Sequence, residues 1–357
     1  MGTFRKTFLI VLASALALAA RGPLCAGGLG ESADPATAFS WGTGGAFDLH
    51  YSTAAKSWQE NLDASMWVEA DLGTLLGLHD FYLYANPSVT WGTGEEWAWT
   101  VRFYQWWLAW DARDDLNFMV GGLDPGWHFH SMPSAGNFVR MASRLPGEFS
   151  PGSLNLPEPD PISPLAARIE WKPFSNWVTQ AAVFAMNQGD EIDSQPVEDT
   201  FPALAIAEIA WRDEGEEASG WKQRVFGLGA WTAPHGPSGA YLFGDAKLLT
   251  ESPTSWQGLS AFFSLGGRTE DEEPWKTSGT AGLTWEGLIP GRDEDLTSLA
   301  LIADERPDRA ELSWELLHRF PLSEHTWAQM EVQSRNAGSH IDASDDWKLG
   351  LRVGWDW

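Results

Sequence analysis

The last eleven residues of the chain, WKLGLRVGWDW, alternate between large apolar side chains and charged residues or glycine. A period of two places successive side chains on opposite faces of a β-strand, whereas on a helix the same apolar residues would scatter around the axis. Two internal glycines disfavour a helix further. The apolar positions are Trp347, Leu349, Leu351, Val353, Trp355 and Trp357. The segment therefore predicts a strand with one apolar and one polar face, which either lipid or a soluble core could cover.

The same alternation recurs along the whole chain, for example in Thr326 to Arg335, Ala310 to Phe320 and Ala167 to Lys172. Seventeen segments fit it, and most are about 9 to 12 residues long, which is the length of a tilted strand crossing a bilayer. The one near Asn137 is the weakest, because it is short and a loop-like sequence follows it. Without it sixteen remain, an even number of the kind that a closed bacterial barrel requires.

Omitting that segment merges residues 123–164 into one long connection, while the turns near residues 112, 173, 251 and 321 are short. Short turns on one side and longer loops on the other are typical of outer-membrane barrels, and a soluble sandwich has no reason to sort its loops in this way. We therefore predict an all-β fold, a transmembrane antiparallel β-barrel of the outer-membrane type with 16 strands. A lead-in at 27–45 is expected to precede a single barrel domain at 46–357.

The N-terminus carries the features of a secretory signal peptide. Arg5 and Lys6 precede an apolar run from Phe8 to Ala20, and small-residue cleavage sites follow, the last at Ala26. This run is short for a spanning helix, and no later stretch of about 18 apolar residues exists. We expect residues 1–26 to direct export, and the mature chain to reside in the bacterial outer membrane.

The composition of the chain limits the kinds of partner that it can bind. The chain has 23 basic and 49 acidic residues, a net charge of −26, which repels phosphate backbones and makes nucleic acid an improbable partner. It also has 23 tryptophans, more than a soluble core readily buries. Because tryptophan suits a membrane interface or the face of a sugar ring, lipid and carbohydrate are the expected partners.

Catalytic and metal-binding patterns are weak. His128 and His130 have a spacing that could donate to a metal, with Asp124 nearby, but no third ligand at standard spacing completes the set. No nucleophile elbow and no phosphate-binding or nucleotide-binding glycine pattern occurs. We therefore expect no enzyme activity, no cofactor and no metal. An outer-membrane hydrolase would need a catalytic set that the sequence does not supply.

The polar faces of the predicted strands carry charges of both signs. If the apolar faces meet lipid, these side chains line the lumen, and sixteen strands leave room for water. Sugar hydroxyls can exchange hydrogen bonds with such groups, so we predict that they line the pore and contact sugar. Large residues occupy both parities between Val101 and Asp111, which leaves the facing of that strand open. The candidates are Asp48, Glu69, Asp71, Arg102, Arg168, Glu170, Lys172, Glu208, Arg212, Glu311, Glu315, Arg319, Gln329, Glu331, Lys348 and Arg352.

Three stretches resemble a known family. VRFYQWWL from Val101 followed by VGGLDP from Val120 is similar to the "LYxxWLEQ … VGRLDP" region of the carbohydrate-selective porins, the OprB-like family. GLIPGRDEDL from Gly287 resembles that family's "GLxPGRxxD" segment, and Leu349 to Arg352 resembles its "LGLR" ending. The matches spread from about residue 41 to the end of the chain. Gly122 departs from the family, which more often has arginine there.

This resemblance implies a sixteen-stranded outer-membrane barrel that passes sugars by diffusion through a constriction of inward-folded loops. The loop 123–164 is the constriction candidate, with contacts expected from Trp127, Arg140, Arg144 and Glu148. An aromatic last residue also resembles the signal that barrel-assembly machinery recognises, so Trp357 is expected to direct insertion.

The turn Pro290-Gly291-Arg292 is the most specific of the matched motifs. Proline presets one dihedral angle and glycine permits a positive one, which predicts a tight turn. We expect Arg292 to staple this turn through Asp295 rather than to bind sugar.

We predict a porin for passive diffusion of mono- or oligosaccharides. A general or cation-preferring porin of the same fold is the first alternative, favoured by the negative net charge, and a secreted soluble glycan-binding β-sandwich is the second. The sequence leaves open which sugar passes, which side chains form the narrowest ring, where the signal is cleaved and whether the barrels form a homotrimer.

Overall fold

Sixteen antiparallel strands form a closed barrel in the computed structural model. The structure describes residues 38–52, 57–93, 97–136, 164–185, 203–213, 224–233, 238–251, 257–270, 273–306, 309–337 and 346–356. The strands are β1 (Phe39–Ser52), β2 (Ser57–Asp71), β3 (Phe81–Thr93), β4 (Trp97–Arg113), β5 (Leu116–Gly122), β6 (Leu165–Phe174), β7 (Trp177–Ala185), β8 (Ala203–Asp213), β9 (Arg224–Thr232), β10 (Ser238–Thr250), β11 (Gly258–Glu270), β12 (Glu273–Glu286), β13 (Leu296–Arg306), β14 (Arg309–Ser323), β15 (Thr326–Ala337) and β16 (Asp346–Asp356).

Each strand pairs with its neighbours in the chain, and β1 pairs with β16 to close the barrel, which confirms the predicted fold. β5 pairs directly with β6, with Val120 opposite Ala167, so no strand lies between them. The omitted segment near Asn137 itself lies outside the described residues. β1 begins at Phe39, inside the stretch expected to be a lead-in, whereas the predicted signal peptide lies outside the described residues.

Side chains sort by parity onto two faces of this sheet. In β16, Leu349 and Leu351 are exposed, while Arg352 of the opposite parity is half-buried. In β8, Ile209 is exposed and Glu208 is buried. The inner face of a barrel is concave and its side chains crowd one another, so the exposed apolar set is the outer face. Such a surface suits lipid.

The two ends of the barrel differ. The end with the first residue of β1 and the last of β16 is called the turn end, and it carries two-residue turns at 114–115, 175–176 and 324–325. The opposite end, the loop end, carries the two longest connections, 123–164 and 186–202. It also carries short connections at 271–272 and 307–308, so the predicted sorting of loops holds only in part.

A β-bulge explains why the sequence left the facing of β4 open. Asn86 of β3 pairs with Gln105, but the next residue, Pro87, pairs with Phe103, so β4 carries one extra residue there. An extra residue reverses the parity beyond it. Phe103 and Trp106 therefore both lie on the outer face, at 50% and 39% exposure, while Gln105 is buried on the inner face.

Helices are few and short in the described part of the chain. One spans Leu72–Leu76 after β2 and another spans Pro125–His128 after β5. A 3-10 turn follows at Pro133–Ala135. None of the described helices has the length and apolar character needed to cross a membrane.

Candidate pore and constriction

The segment 123–136, which follows β5, lies inside the barrel. Its short helix begins at Asp124, whose Oδ1 accepts the N–H of Gly126 at 2.8 Å. The carbonyl oxygen of His128 accepts a hydrogen bond of 2.8 Å from Gln180 of β7. The carbonyl oxygen of Ser134 accepts one of 3.0 Å from Thr284 of β12. Because Gln180 and Thr284 belong to the buried parity of their strands, the segment rests on the inner wall.

His130 fastens this segment to three strands. Its backbone N–H donates to Glu208 Oε2 of β8 at 2.7 Å, and its ring Nε2 lies 2.7 Å from the Ser264 Oγ of β11. Tyr241 of β10 meets the ring edge-on and donates its hydroxyl to the same Glu208 oxygen at 2.8 Å. Gln180 donates to the other oxygen, Oε1, at 2.8 Å. Both carboxylate oxygens of Glu208 therefore hold structure together, and a sugar would have to compete for them.

A second carboxylate fastens the segment four residues later. Asp245 of β10 accepts the backbone N–H of Ser134 at 2.6 Å through Oδ2 and its hydroxyl at 2.8 Å through Oδ1. His130 has a backbone φ of 58°, a left-handed conformation that is uncommon outside glycine and asparagine. The surrounding hydrogen bonds hold it there, and such positions cluster where a chain is strongly constrained.

The inner wall beneath the segment is apolar, and the sequence analysis missed this. Leu123, Phe129, Met132 and Ala135 of the segment join a buried cluster that includes Phe184, Leu204, Ile206, Trp231, Tyr241, Phe243 and Phe262 of strands β7 to β11. We call the inner faces of β7 to β12 the packed wall. The signal that could have found it is a strand with apolar residues at both parities, as in β8 and β10.

Glycines on neighbouring strands make room for the rings of the packed wall. A Cβ at Gly229 would lie 2.3 Å from the Tyr241 ring, and one at Gly282 would lie 2.2 Å from the Phe262 ring. Each ring therefore lies flat over backbone rather than projecting across the lumen, which leaves space for the inward segment.

The histidines of the segment are neutral near pH 7. Burial lowers the pKa of His130 to about 3. Burial, and secondarily the positive charge of Arg168, lowers the pKa of His128 to about 3. His128 Nε2 lies 3.2 Å from Gln105 Oε1. Within the described ranges no group of three His, Cys, Asp or Glu side chains is placed to hold a metal ion.

The opposite side of the lumen is polar. We call the inner faces of β14, β15, β16 and β1 the polar wall. Glu331 lies at its centre, where it is 3.2 Å from His50 Nδ1 and accepts amide N–H groups from Gln329 at 3.2 Å and Gln333 at 3.0 Å. All four side chains are buried within the polar wall. The carboxylate is therefore surrounded by donors from β1 and β15.

Two arginines complete the polar wall. Arg352 binds Asp48 with both Nε and Nη2, the latter 2.8 Å from Asp48 Oδ2. Arg319 Nε donates to Gln329 Oε1 at 3.0 Å, and its guanidinium carbon lies 4.1 Å from the ring centre of Trp327. The other side of that ring lies over Gly354, where a Cβ would come within 2.2 Å. Trp327, absent from the sequence candidates, thus supports Arg319 from below.

Two further groups of candidates lie on β6 and at the turn end. On β6, Arg168 donates to Gln180 Oε1 at 2.9 Å and pairs with Glu170, whose Oε1 lies 3.6 Å from Lys172 Nζ. At the turn end, Asp71 caps the helix Leu72–Leu76 by accepting the Gly73 N–H at 2.8 Å.

The structure describes the side chains of only some of the other candidates. Glu69, Arg212 and Lys348 are half-buried and Glu315 is fully buried, while Trp127 is 67% exposed. Arg102 and Glu311 belong to β4 and β14, but their side chains lie outside the described part. Arg140, Arg144, Glu148 and Trp357 lie outside the described residues altogether.

The proline-glycine-arginine turn lies at the turn end between β12 and β13. Gly291 has a φ of 80°, the positive value that the motif predicts. Arg292 Nε lies 2.7 Å from Asp295 Oδ2, and His318 Nε2 of β14 lies 3.3 Å from the same oxygen. The guanidinium also stacks over the ring of Phe320, 5.3 Å from its centre. This cluster belongs to the outer rim, away from the lumen.

Comparison with known proteins finds likeness at the level of structure. No protein-family model matches the sequence, and no curated protein matches it. Among solved structures, the high-pH structure of Pseudomonas putida OprB superposes with a TM-score of 0.71 at 14% identity, covering 90% of this chain and 94% of that one. Its low-pH structure gives 0.65 at 15% identity, covering 90% and 93%. A triple mutant of Rh. blastica porin gives 0.55 at 12% identity, covering 89% and 100%.

These identities are low, so the likeness concerns the fold. It extends over nine-tenths of both chains for OprB, and the strand count of the closed barrel agrees with the expectation from the sequence motifs. The chain has the fold of an OprB-like porin, a closed barrel of sixteen antiparallel strands.

Proposed function

We propose that the protein is an outer-membrane porin through which neutral carbohydrates diffuse passively. The observation that carries this proposal is the division of the lumen into two unlike sides. The packed wall is occupied by the segment 123–136, so a solute would pass between that segment and the polar wall. There the half-buried guanidinium groups of Arg319 and Arg352 are accessible, whereas their partners Gln329 and Asp48 are buried.

The charge of the polar wall supports neutral solutes over ions. Arg352 lies against Asp48, and His50 lies against Glu331, which also accepts the amides of Gln329 and Gln333. No single sign dominates this surface, whereas a strongly ion-selective pore needs a ring of like charges. The half-buried side chains of this wall, Arg319, Lys348 and Arg352, can still donate hydrogen bonds to sugar hydroxyls.

The exposed ring of Trp127 supports the same proposal. It projects from a segment whose neighbouring residues Pro125 and Phe129 are buried. A ring held on a fastened segment offers an apolar face on which a sugar can slide. The part of the loop that lies outside the described residues, with Arg140, Arg144 and Glu148, is proposed to complete the constriction.

Single-channel recording in a planar bilayer tests the proposal. We expect ion-permeable steps that glucose or a maltodextrin partly blocks, with reversal potentials in a salt gradient that show little preference between cation and anion. Absence of conductance would remove the channel proposal. Strong cation preference with no effect of sugar would favour the general porin, which the net charge of −26 supports.

The membrane location is tested by extraction. A lipid-facing barrel should require detergent to leave the outer-membrane fraction, whereas a soluble glycan-binding sandwich would remain in solution without it. Cross-linking in native membranes would decide whether the barrels form a homotrimer.

A further inference from the structure

The outer face of the barrel carries a groove that the sugar pathway does not use. Its volume is about 670 Å³, and its surface is almost entirely apolar. It crosses β13 to β16 and reaches β1 and β2, and its outward side chains are Leu49, Trp58, Thr297, Leu316, His318, Met330, Val332, Leu349 and Leu351. Leu317, Glu331 and Gly350 have the inward parity and form its floor.

One end of the groove reaches the polar rim at the turn end. His318 lines the groove, and its Nε2 lies 3.3 Å from Asp295 Oδ2. The same oxygen lies 2.7 Å from Arg292 Nε, and the Arg292 side chain is 46% exposed. The apolar groove and the cationic Arg292 are thus connected through His318 and Asp295 at the turn end of the barrel.

The charges of this rim select among headgroups. Arg292 is followed by Asp293, Glu294 and Asp295, and the first two carboxylates are exposed. One arginine can bind a phosphate, but a lipid with net negative charge would face three carboxylates. A headgroup that carries an ammonium beside its phosphate matches both signs.

We propose that the groove and rim bind one zwitterionic amino-phospholipid of the phosphatidylethanolamine type. An acyl chain fills the groove, the exposed guanidinium of Arg292 binds the phosphate, and the exposed carboxylates of Asp293 and Glu294 bind the ammonium. The inference rests on the membrane location of the barrel but not on sugar passage.

The turn between β4 and β5, at the same end of the barrel, provides a comparison. Arg113 is also exposed and lies 3.1 Å from Asp115. However, the outer face beside that turn is filled by stacked rings, with Phe81 and Phe118 each 5.7 Å from Trp110. Arg113 therefore has a comparable ion pair beside an outer face that stacked rings cover, which makes it the matched control.

Native mass spectrometry of the detergent-solubilised protein tests the proposal, with equal amounts of palmitoyl-oleoyl phosphatidylethanolamine and phosphatidylglycerol added. We expect the wild-type protein to retain one phosphatidylethanolamine. Arg292→Gln should lower the retained fraction about tenfold, the loss expected for one charge-assisted hydrogen bond. Arg113→Gln should retain lipid as the wild type does.

Equal retention by Arg292→Gln and the wild type would overturn the proposal, as would an equal loss in Arg113→Gln or preferential retention of phosphatidylglycerol. Heat-dependent gel mobility verifies that each variant is a folded barrel. If Arg292→Gln does not fold, Met330→Trp is the variant that tests the proposal, because its larger side chain fills the groove and leaves the rim intact. Loss of lipid in Met330→Trp supports the site, and retention overturns it. Sugar block of single-channel current should be unchanged in these variants, which separates this inference from the proposed transport function.

Discussion

His50 of β1 and Glu331 of β15 meet across an intervening strand, with His50 Nδ1 3.2 Å from Glu331 Oε1. The residue between them is Gly350 of β16, which pairs with His50 on one side and Glu331 on the other. Two strands that do not touch can share a side-chain contact because the strand between them has no side chain at that position. A Cβ at Gly350 would lie 2.5 Å from Glu331 Cγ and 2.6 Å from its Oε1.

Gly350→Ala should therefore displace Glu331 from His50. Overpacking of this kind costs about 1–3 kcal/mol, which we expect to appear as a lower midpoint in urea unfolding followed by heat-dependent gel mobility. Gly44→Ala is the control, because a Cβ there would lie 3.5 Å from the Trp355 carbonyl oxygen, an ordinary contact on the same inner face. Equal stability of Gly350→Ala and the wild type would show that the absence of a side chain at residue 350 is not required.

The fastening of the segment 123–136 should weaken in acid. The pKa of His130 is about 3, below its usual 6.5, so between these values the released segment binds more protons than the docked one. The conformation in which the segment 123–136 contacts the inner wall should lose stability as pH falls from 6.5 towards 3. Above pH 6.5 the titration of His130 should no longer affect it. The slope contributed by one such histidine is at most about 1.4 kcal/mol per pH unit.

Hydrogen exchange of residues 123–136 at pH 4.5 and pH 7 measures this effect. His130→Asn tolerates the left-handed backbone and removes the titrating ring, so its exchange should depend less on pH than that of the wild type. Glu208 and Asp245 are present in both proteins, and their own titration cancels in the comparison. His325→Gln in the β14–β15 turn should behave as the wild type. An unchanged pH dependence in His130→Asn would contradict the prediction.

Glu208→Gln should loosen the same segment at neutral pH. An amide offers one acceptor oxygen where the carboxylate receives donors from His130, Tyr241 and Gln180. Leaving a buried donor unsatisfied costs about 1–3 kcal/mol. We expect greater open-channel current noise in Glu208→Gln. Glu170→Gln, which alters a carboxylate on β6, should leave the current noise at the wild-type level. Equal noise in both variants would argue against a specific role of Glu208 in fastening the segment.

Trp127→Ala should weaken sugar block while the conductance in salt changes little. Loss of stacking on one ring corresponds to about 0.5–1.5 kcal/mol, or roughly a threefold to tenfold rise in the half-blocking concentration. Trp285→Ala removes an outward-facing ring of β12 and serves as the control. An unchanged half-blocking concentration in Trp127→Ala would exclude this ring as a sugar contact.

The repeated alternation of apolar and polar residues was sufficient to predict the barrel. In β16 each odd residue faces outward because a pleated strand has a period of two, and this rule acts locally on every strand. The same rule failed locally at β4, where the bulge opposite Pro87 shifts the parity and only pairing with β3 reveals it.

The sequence could not divide the lumen into its two walls. Phe243 and Ile206 of the packed wall are as apolar as the outward residues beside them, so hydrophobicity alone does not place them inside. Their location follows from the segment 123–136, whose contacts join residues far apart in the chain: 78 positions from His130 to Glu208 and 134 from His130 to Ser264. The alternation, repeated along the chain, thus determined the barrel and the polar inner faces of β14, β15, β16 and β1 from the sequence alone. The tertiary structure decided which inner residues are covered and which face the pore, because that depends on where a distant segment folds back against the wall.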